Sequence, residues 1–171
     1  MTEKPLLITF AGHPGSGKTP VAYYLSQNLN LPIFNNDAIR TEVHEDTLSP
    51  DFDNRLYESK RQSRLSNLLD TRRTFIYDAS VDRRWKDLRK ELHRLGYRFF
   101  IIGFNLSLEF RTKVWAAKGS SASPEQLARW QEDQRNFFSE YGAEVGLVIT
   151  DSNFARRFEL ALSAVTPLIK A

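Results

Sequence analysis

Leu6, Leu7, Ile8, Thr9, Phe10 and Ala11 run directly into Gly12, His13, Pro14, Gly15, Ser16, Gly17, Lys18 and Thr19, and the fold follows from this junction. An apolar run of this length that stops at a glycine reads as a buried strand. The eight residues after it satisfy G-x-x-x-x-G-K-[ST], a spacing with a physical reason. Its glycines let the backbone curl so that successive N–H groups face one cluster of phosphate oxygens, and the helix beginning near Gly17 adds the positive end of its dipole. Lys18 is then expected at the outer phosphates. The Thr19 hydroxyl is expected on Mg²⁺, which takes few protein ligands and keeps several waters. Pro20 falls in the first helical turn, where proline costs no intrahelical hydrogen bond. Gly12 through Thr19 are therefore candidate nucleotide-binding residues, His13 and Pro14 among them.

Outward from the loop, short apolar runs recur at Leu31 to Phe34, Thr74 to Tyr77, Arg98 to Phe104 and Val145 to Thr150. With the first run they make five expected strands, and all look too apolar to carry a wet face. Helical spacing fills the gaps, roughly at Gly17 to Asn28, Ala38 to Glu45, Asp53 to Arg72, Arg84 to Leu95, Ser107 to Ala117, Pro124 to Tyr141 and Asn153 to Leu168. Such alternation predicts an α/β fold, a parallel sheet covered by helices on both faces, with ligands at the carboxyl ends of its strands. At 171 residues, with no linker-like stretch, one domain spanning 1–171 is expected. The one loose segment is Lys118 to Pro124, which carries Gly119, Ser120, Ser121 and Ser123.

Composition narrows the alternatives. A net charge of +3, from 24 basic and 21 acidic residues, permits an anionic ligand without demanding nucleic acid. The chain has no cysteine, which excludes disulfides and thiolate metal sites. His44 and His93 have no ligand spacing around them, so no zinc site is expected. The apolar runs are too short to span a bilayer and no signal-peptide pattern opens the chain, which makes a cytoplasmic protein without a membrane role the simplest expectation.

Three further segments carry a resemblance. Asn35, Asn36, Asp37, Ala38, Ile39 and Arg40 follow the second strand as a D-x-x-R pattern. Ile76, Tyr77, Asp78, Ala79 and Ser80 close the third as apolar-apolar-D-A-[ST]. Arg111 and the basic residues after it follow the fourth. With the phosphate loop, these segments resemble the P-loop kinases of small molecules and nucleic acid ends, the group of shikimate and gluconate kinases, zeta-toxin-like kinases and polynucleotide 5′-kinases. The resemblance implies a five-stranded sheet of order 2-3-1-4-5, a lid at approximately 107–124, and phosphoryl transfer from ATP. It also implies a usual second lid arginine, for which this chain offers Lys113, Lys118 or the more distant Arg129.

Each site residue has a functional and a plain reading. Asp37 is the candidate base for an acceptor hydroxyl, or an N-cap. Arg40 would hold an anionic group of the acceptor, or pair with Glu42 or Glu45. Asp78 would serve Mg²⁺ or the acceptor, or cap a turn. Lys18, Asp37 and Arg111 are the candidate catalytic residues, with Arg111 neutralising charge on the transferred group. Asp82, Arg83 and Arg84 read best as a charged helix start on the surface. Lys60, Arg61 and Arg64 read best as the solvated face of a helix buried through Leu65, Leu68 and Leu69. Trp85, Trp115 and Trp130 read as core or lid packing. Thr150, Asp151, Ser152 and Asn153 lie where the resemblance implies an adenine pocket, or make a turn and N-cap for the final helix. No N-K-x-D segment favours GTP, so ATP with Mg²⁺ is the expected cofactor pair. The expected partner is a small hydroxyl-bearing acceptor. A polynucleotide 5′-hydroxyl is an alternative that is not favoured, and a non-catalytic ATP-binding regulatory module is another.

Overall fold

A computed structural model describes residues 4–120 and 122–169; Ser121, from the loose segment above, lies outside the described residues. The strands are β1 (Leu6–Ala11), β2 (Ile33–Asn35), β3 (Phe75–Ser80), β4 (Arg98–Phe104) and β5 (Val145–Ile149). The helices are α1 (Lys18–Leu29), α2 (Asn36–Thr47), α3 (Asn54–Asp70), α4 (Trp85–Leu95), α5 (Leu108–Ala117), α6 (Pro124–Tyr141) and α7 (Arg157–Ile169). The strands form one parallel sheet in the order β2-β3-β1-β4-β5. β1 is its fully buried centre, and alternation along β1 supplies both faces of the sheet. Leu7 packs with α2, α3, α4 and α6 residues such as Val43, Leu65, Leu88 and Phe137. Leu6, Ile8 and Phe10 pack on the other face with Val21 and Leu25 of α1 and Val165 of α7.

Local chemistry moves some boundaries. β2 starts two residues later than its apolar run because Leu31 still belongs to the end of α1: its N–H donates to Ser26 O at 3.2 Å, and Ser26 Oγ donates to Leu31 O at 2.6 Å. α7 starts at Arg157, after a 3₁₀ turn over Phe154–Arg156. The expectation that every strand is buried on both faces fails at β5, an edge strand on which Val148 is 38% exposed. β3 runs through Asp78 to Ser80 and does not stop at Tyr77. Its pairing with β1 shifts between Thr9, opposite Tyr77, and Phe10, opposite Ser80. Asp78 and Ala79 therefore have no partner on β1, a bulge of the kind that re-aims side chains beside functional sites.

Candidate active site

The phosphate loop joins β1 to α1 at the carboxyl edge of the sheet. Gly12 has φ +123°, and a Cβ there would stand 2.6 Å from Phe104 O, so only glycine fits. Its N–H donates to Asp82 Oδ1 at 2.9 Å. Ser80 Oγ lies 2.8 Å from the same carboxylate oxygen and 3.0 Å from Gly12 O. Asp82 is thus not the plain surface helix start expected of it: it fixes the base of the loop. Sequence spacing gave no signal for this, since the bond spans seventy positions.

Lys18 is buried and turned onto its own loop. Its Nζ donates to Gly12 O at 2.8 Å, to His13 O and to Ser16 Oγ at 3.2 Å. Burial pulls its ammonium down to about 8, partly offset by the charges of Asp82 and Asp78. Thr19 Oγ1 donates to Asp78 Oδ1 at 3.1 Å, and Asn35 Nδ2 donates to Asp78 Oδ2 at 2.7 Å. Burial raises the pKa of Asp78, against these hydrogen bonds and the charge of Lys18. Because Thr19 gives its proton to Asp78, its oxygen lone pairs stay free beside a carboxylate, a hard-oxygen pair suited to Mg²⁺. No group of three metal-ligating side chains stands together among the described residues.

Across the cleft, α2 is capped by Asn35, whose Oδ1 accepts from the N–H groups of Asp37 at 2.7 Å and Ala38 at 3.2 Å. The N-cap reading of Asp37 therefore belongs to Asn35. Asn35 also orients Asp78, a double role the sequence reading missed although the residue stands in the D-x-x-R segment. Asp37 is left on the first turn with its side chain 83% exposed and Arg40 Nε 3.8 Å away. Arg40 lies over the ring of Tyr57, 4.6 Å from its centroid, and near Phe52 at 5.3 Å. The basic face of α3 is consumed in ion pairs: Lys60 with Glu42 and Asp46, Arg64 with Glu42, and Arg61 with Glu58, which also holds Arg84.

One cleft of about 400 Å³ gathers Pro14, Gly15, Gly17, Lys18 and Thr19 with Asp37, Arg40, Asp78 and Lys118. The structure does not bring Arg111 here. One turn into α5, Arg111 folds back so that its Nε donates to Ser107 O at 3.3 Å, and it lines a separate cavity with His13. The His13 side chain likewise points behind the loop and does not line the cleft. Instead, α5 covers the loop through Trp115 Nε1, which donates to Pro14 O at 3.0 Å, and through Lys118 Nζ, which donates to Gly15 O at 2.9 Å. Trp130 stacks edge-on against Trp115, with centroids 5.5 Å apart. Lys113 pairs with Glu109 at the surface. The Thr150 to Asn153 segment forms a turn in which Asn153 Oδ1 accepts from Thr150 N–H, while Asp151 accepts from Ser107 N–H.

Comparison with solved structures follows from this geometry. The chain superposes on a gluconokinase from Sinorhizobium meliloti 1021 with a TM-score of 0.67 and 16% identity, over 97% of this chain and 94% of that one. It is similar to the Deinococcus radiodurans tunicamycin resistance protein, with a TM-score of 0.65 and 16% identity over 96% and 95% of the two chains. For a shikimate kinase from Bacteroides thetaiotaomicron the TM-score is 0.60 and the identity 12%, over 97% and 99%. The fold is that of the P-loop kinases. No protein-family model and no curated protein sequence matches the chain. At these identities the P-loop kinase likeness is one of architecture. No helix among the described residues is long and apolar enough to cross a membrane.

Proposed function

We propose that this chain is an ATP-dependent kinase that transfers the γ-phosphoryl group, with Mg²⁺, to a hydroxyl of a small molecule. The observation that carries this reading is the single cleft in which the loop, Thr19 and Asp78 face Asp37 and Arg40. The triphosphate would lie along the loop, with Lys18 leaving its carbonyl partners for the outer phosphates. Thr19 and Asp78 would hold Mg²⁺, which supplies charge neutralisation on the phosphate oxygens when bound. Asp37 accepts the proton of the acceptor hydroxyl as its oxygen attacks the γ-phosphorus, and the bond to the bridging oxygen breaks to release ADP. Arg40, pre-set by Tyr57, orients the acceptor through its planar fork. Lys118, which already reaches over the loop, takes the lid-cation role expected of Arg111.

A small acceptor is favoured over a polynucleotide because Lys60, Arg61 and Arg64 are neutralised by carboxylates and so do not form a free basic track. The test incubates the protein with ATP, Mg²⁺ and a panel of sugars, polyols and hydroxy acids, with products read by mass spectrometry. A phosphorylated panel member supports the assignment. Release of inorganic phosphate alone, with every acceptor unmodified, would remove it.

A further inference from the structure

Behind the phosphate loop, between the β4–α5 connection and α6, lies a second cavity of about 640 Å³. Three polar side chains that line it are more than nine-tenths buried: His13 at 3% exposure, Gln134 at 7% and Arg111 at 8%. Their hydrogen bonding is incomplete. His13 Nε2 and Gln134 Oε1 have no partner among the described residues. The Gln134 amide nitrogen is spent on Phe104 O at 3.3 Å and Asn105 Oδ1 at 3.1 Å, which fixes the amide and leaves its oxygen as a committed acceptor. Arg111 Nε donates to Ser107 O, and no carboxylate among the described residues stands within ion-pair distance of it; the opposite charge that acts on it is that of the exposed Asp151, which accepts from Ser107 N–H.

A buried guanidinium whose counter-charge, Asp151, lies beyond ion-pair distance is incompletely compensated, and each buried polar atom without a partner is costly. Two unpartnered polar atoms and one partly compensated guanidinium in one cavity ask for a ligand that answers all of them. Arg111 favours an oxyanion. His13 is held neutral, with its pKa lowered to about 4 by burial and then by Arg111 and Lys18, so one of its ring nitrogens carries a proton to donate. The Gln134 oxygen requires a donor, which an oxyanion alone does not supply and a neighbouring hydroxyl does. Glu132 and Arg135 sit exposed at the rim with opposite charges and leave the demand at Arg111 uncancelled.

We propose that this cavity is a second ligand site, distinct from the phosphate cleft, for a small hydroxylated oxyanion: a carboxylate or phosphate group taken by Arg111 and His13, with an adjacent hydroxyl donating to Gln134. The two sites share His13, whose carbonyl accepts from Lys18 in the loop, and any coupling between them acts by the same factor in both directions.

The experiment is a calorimetric titration of sulfate, glycerate and glycerol 3-phosphate into the full chain saturated with Mg²⁺ and a non-hydrolysable ATP analogue, so that the phosphate loop is filled. One site per chain is expected, with glycerate or glycerol 3-phosphate bound more tightly than sulfate; which of those two wins tells carboxylate from phosphate. Arg111→Met weakens binding at least tenfold, and Arg111→Lys restores part of it. Gln134→Leu weakens the two hydroxylated anions several-fold and leaves sulfate unchanged. The same site must be present in nucleotide-free Lys18→Ala protein, so a failure of the kinase reading leaves this test intact. Absence of heat from all three anions in both preparations, or binding undiminished in Arg111→Met, overturns the proposal.

Discussion

Lys18 and Lys118 line one cleft and are held in opposite ways. Lys18 is buried and donates to three oxygens of its own loop, a loop whose base is tied to Asp82, two residues past β3. Lys118 follows the end of α5, is exposed, and makes one bond to Gly15 O. The loop side of the cleft, its donor wall, is therefore held at several points, most of them within the loop itself. The acceptor and lid wall is set by single contacts between distant elements, and such contacts are the ones a closing motion remakes.

That contrast can be broken at several points. The largest effect belongs to Asp37→Ala, which should lower kcat by about 10³ while nucleotide affinity is unchanged, since in the proposed mechanism Asp37 meets the acceptor hydroxyl and not the nucleotide. Steady-state kinetics with the identified acceptor, beside nucleotide titration, would show it. A loss of nucleotide binding in that variant would put Asp37 on the donor wall. Lys118→Ala should lower kcat by about 10² with a smaller change in KM, and Lys118→Arg should recover most of the loss. Full activity in Lys118→Ala would return the lid role to another cation.

Asp82→Ala tests the anchoring of the donor wall. It strands the Gly12 N–H and should cost about 1–3 kcal/mol in chemical denaturation, with weaker nucleotide binding as the loop loosens. The smallest effect is a pH dependence. The His13 pKa falls from 6.5 to about 4 on folding, so below 6.5 the unfolded chain binds the more protons. Its contribution to stability is present above about 6.5 and lost as the pH falls towards 4. Denaturant midpoints measured at pH 7 and pH 4.5 should converge more in His13→Asn than in wild type, and equal slopes in the two would contradict the burial of this ring.

The same contrast explains what was legible in the sequence. Residues 12–19 announce their role because phosphate binding there is done by consecutive backbone groups, so the chemistry is written in adjacent letters. The strand order and Asp78 were reached through resemblance combined with apolar runs, and the run at Thr74 to Tyr77 still hid the bulge that turns Asp78 towards Thr19. The bonds from Asn35 to Asp78 and from Gly12 to Asp82 are not legible in the sequence because each joins residues more than forty positions apart. The place of Arg111 away from the cleft is not legible for a related reason. Position along α5 says which residue follows β4, but which side chain reaches the loop depends on how the helix crosses it, and that crossing puts Trp115 and Lys118 over Pro14 and Gly15.

The claim on which the rest depends is that the turn from β1 into α1 is a triphosphate site. Calorimetry of ATP with Mg²⁺ against wild type, Asp37→Ala and Lys18→Ala tests it most directly. The account predicts one nucleotide per chain in the first two and a loss of affinity of about 10² or more in Lys18→Ala. Equal uptake by all three proteins, or none by folded wild type, would contradict it.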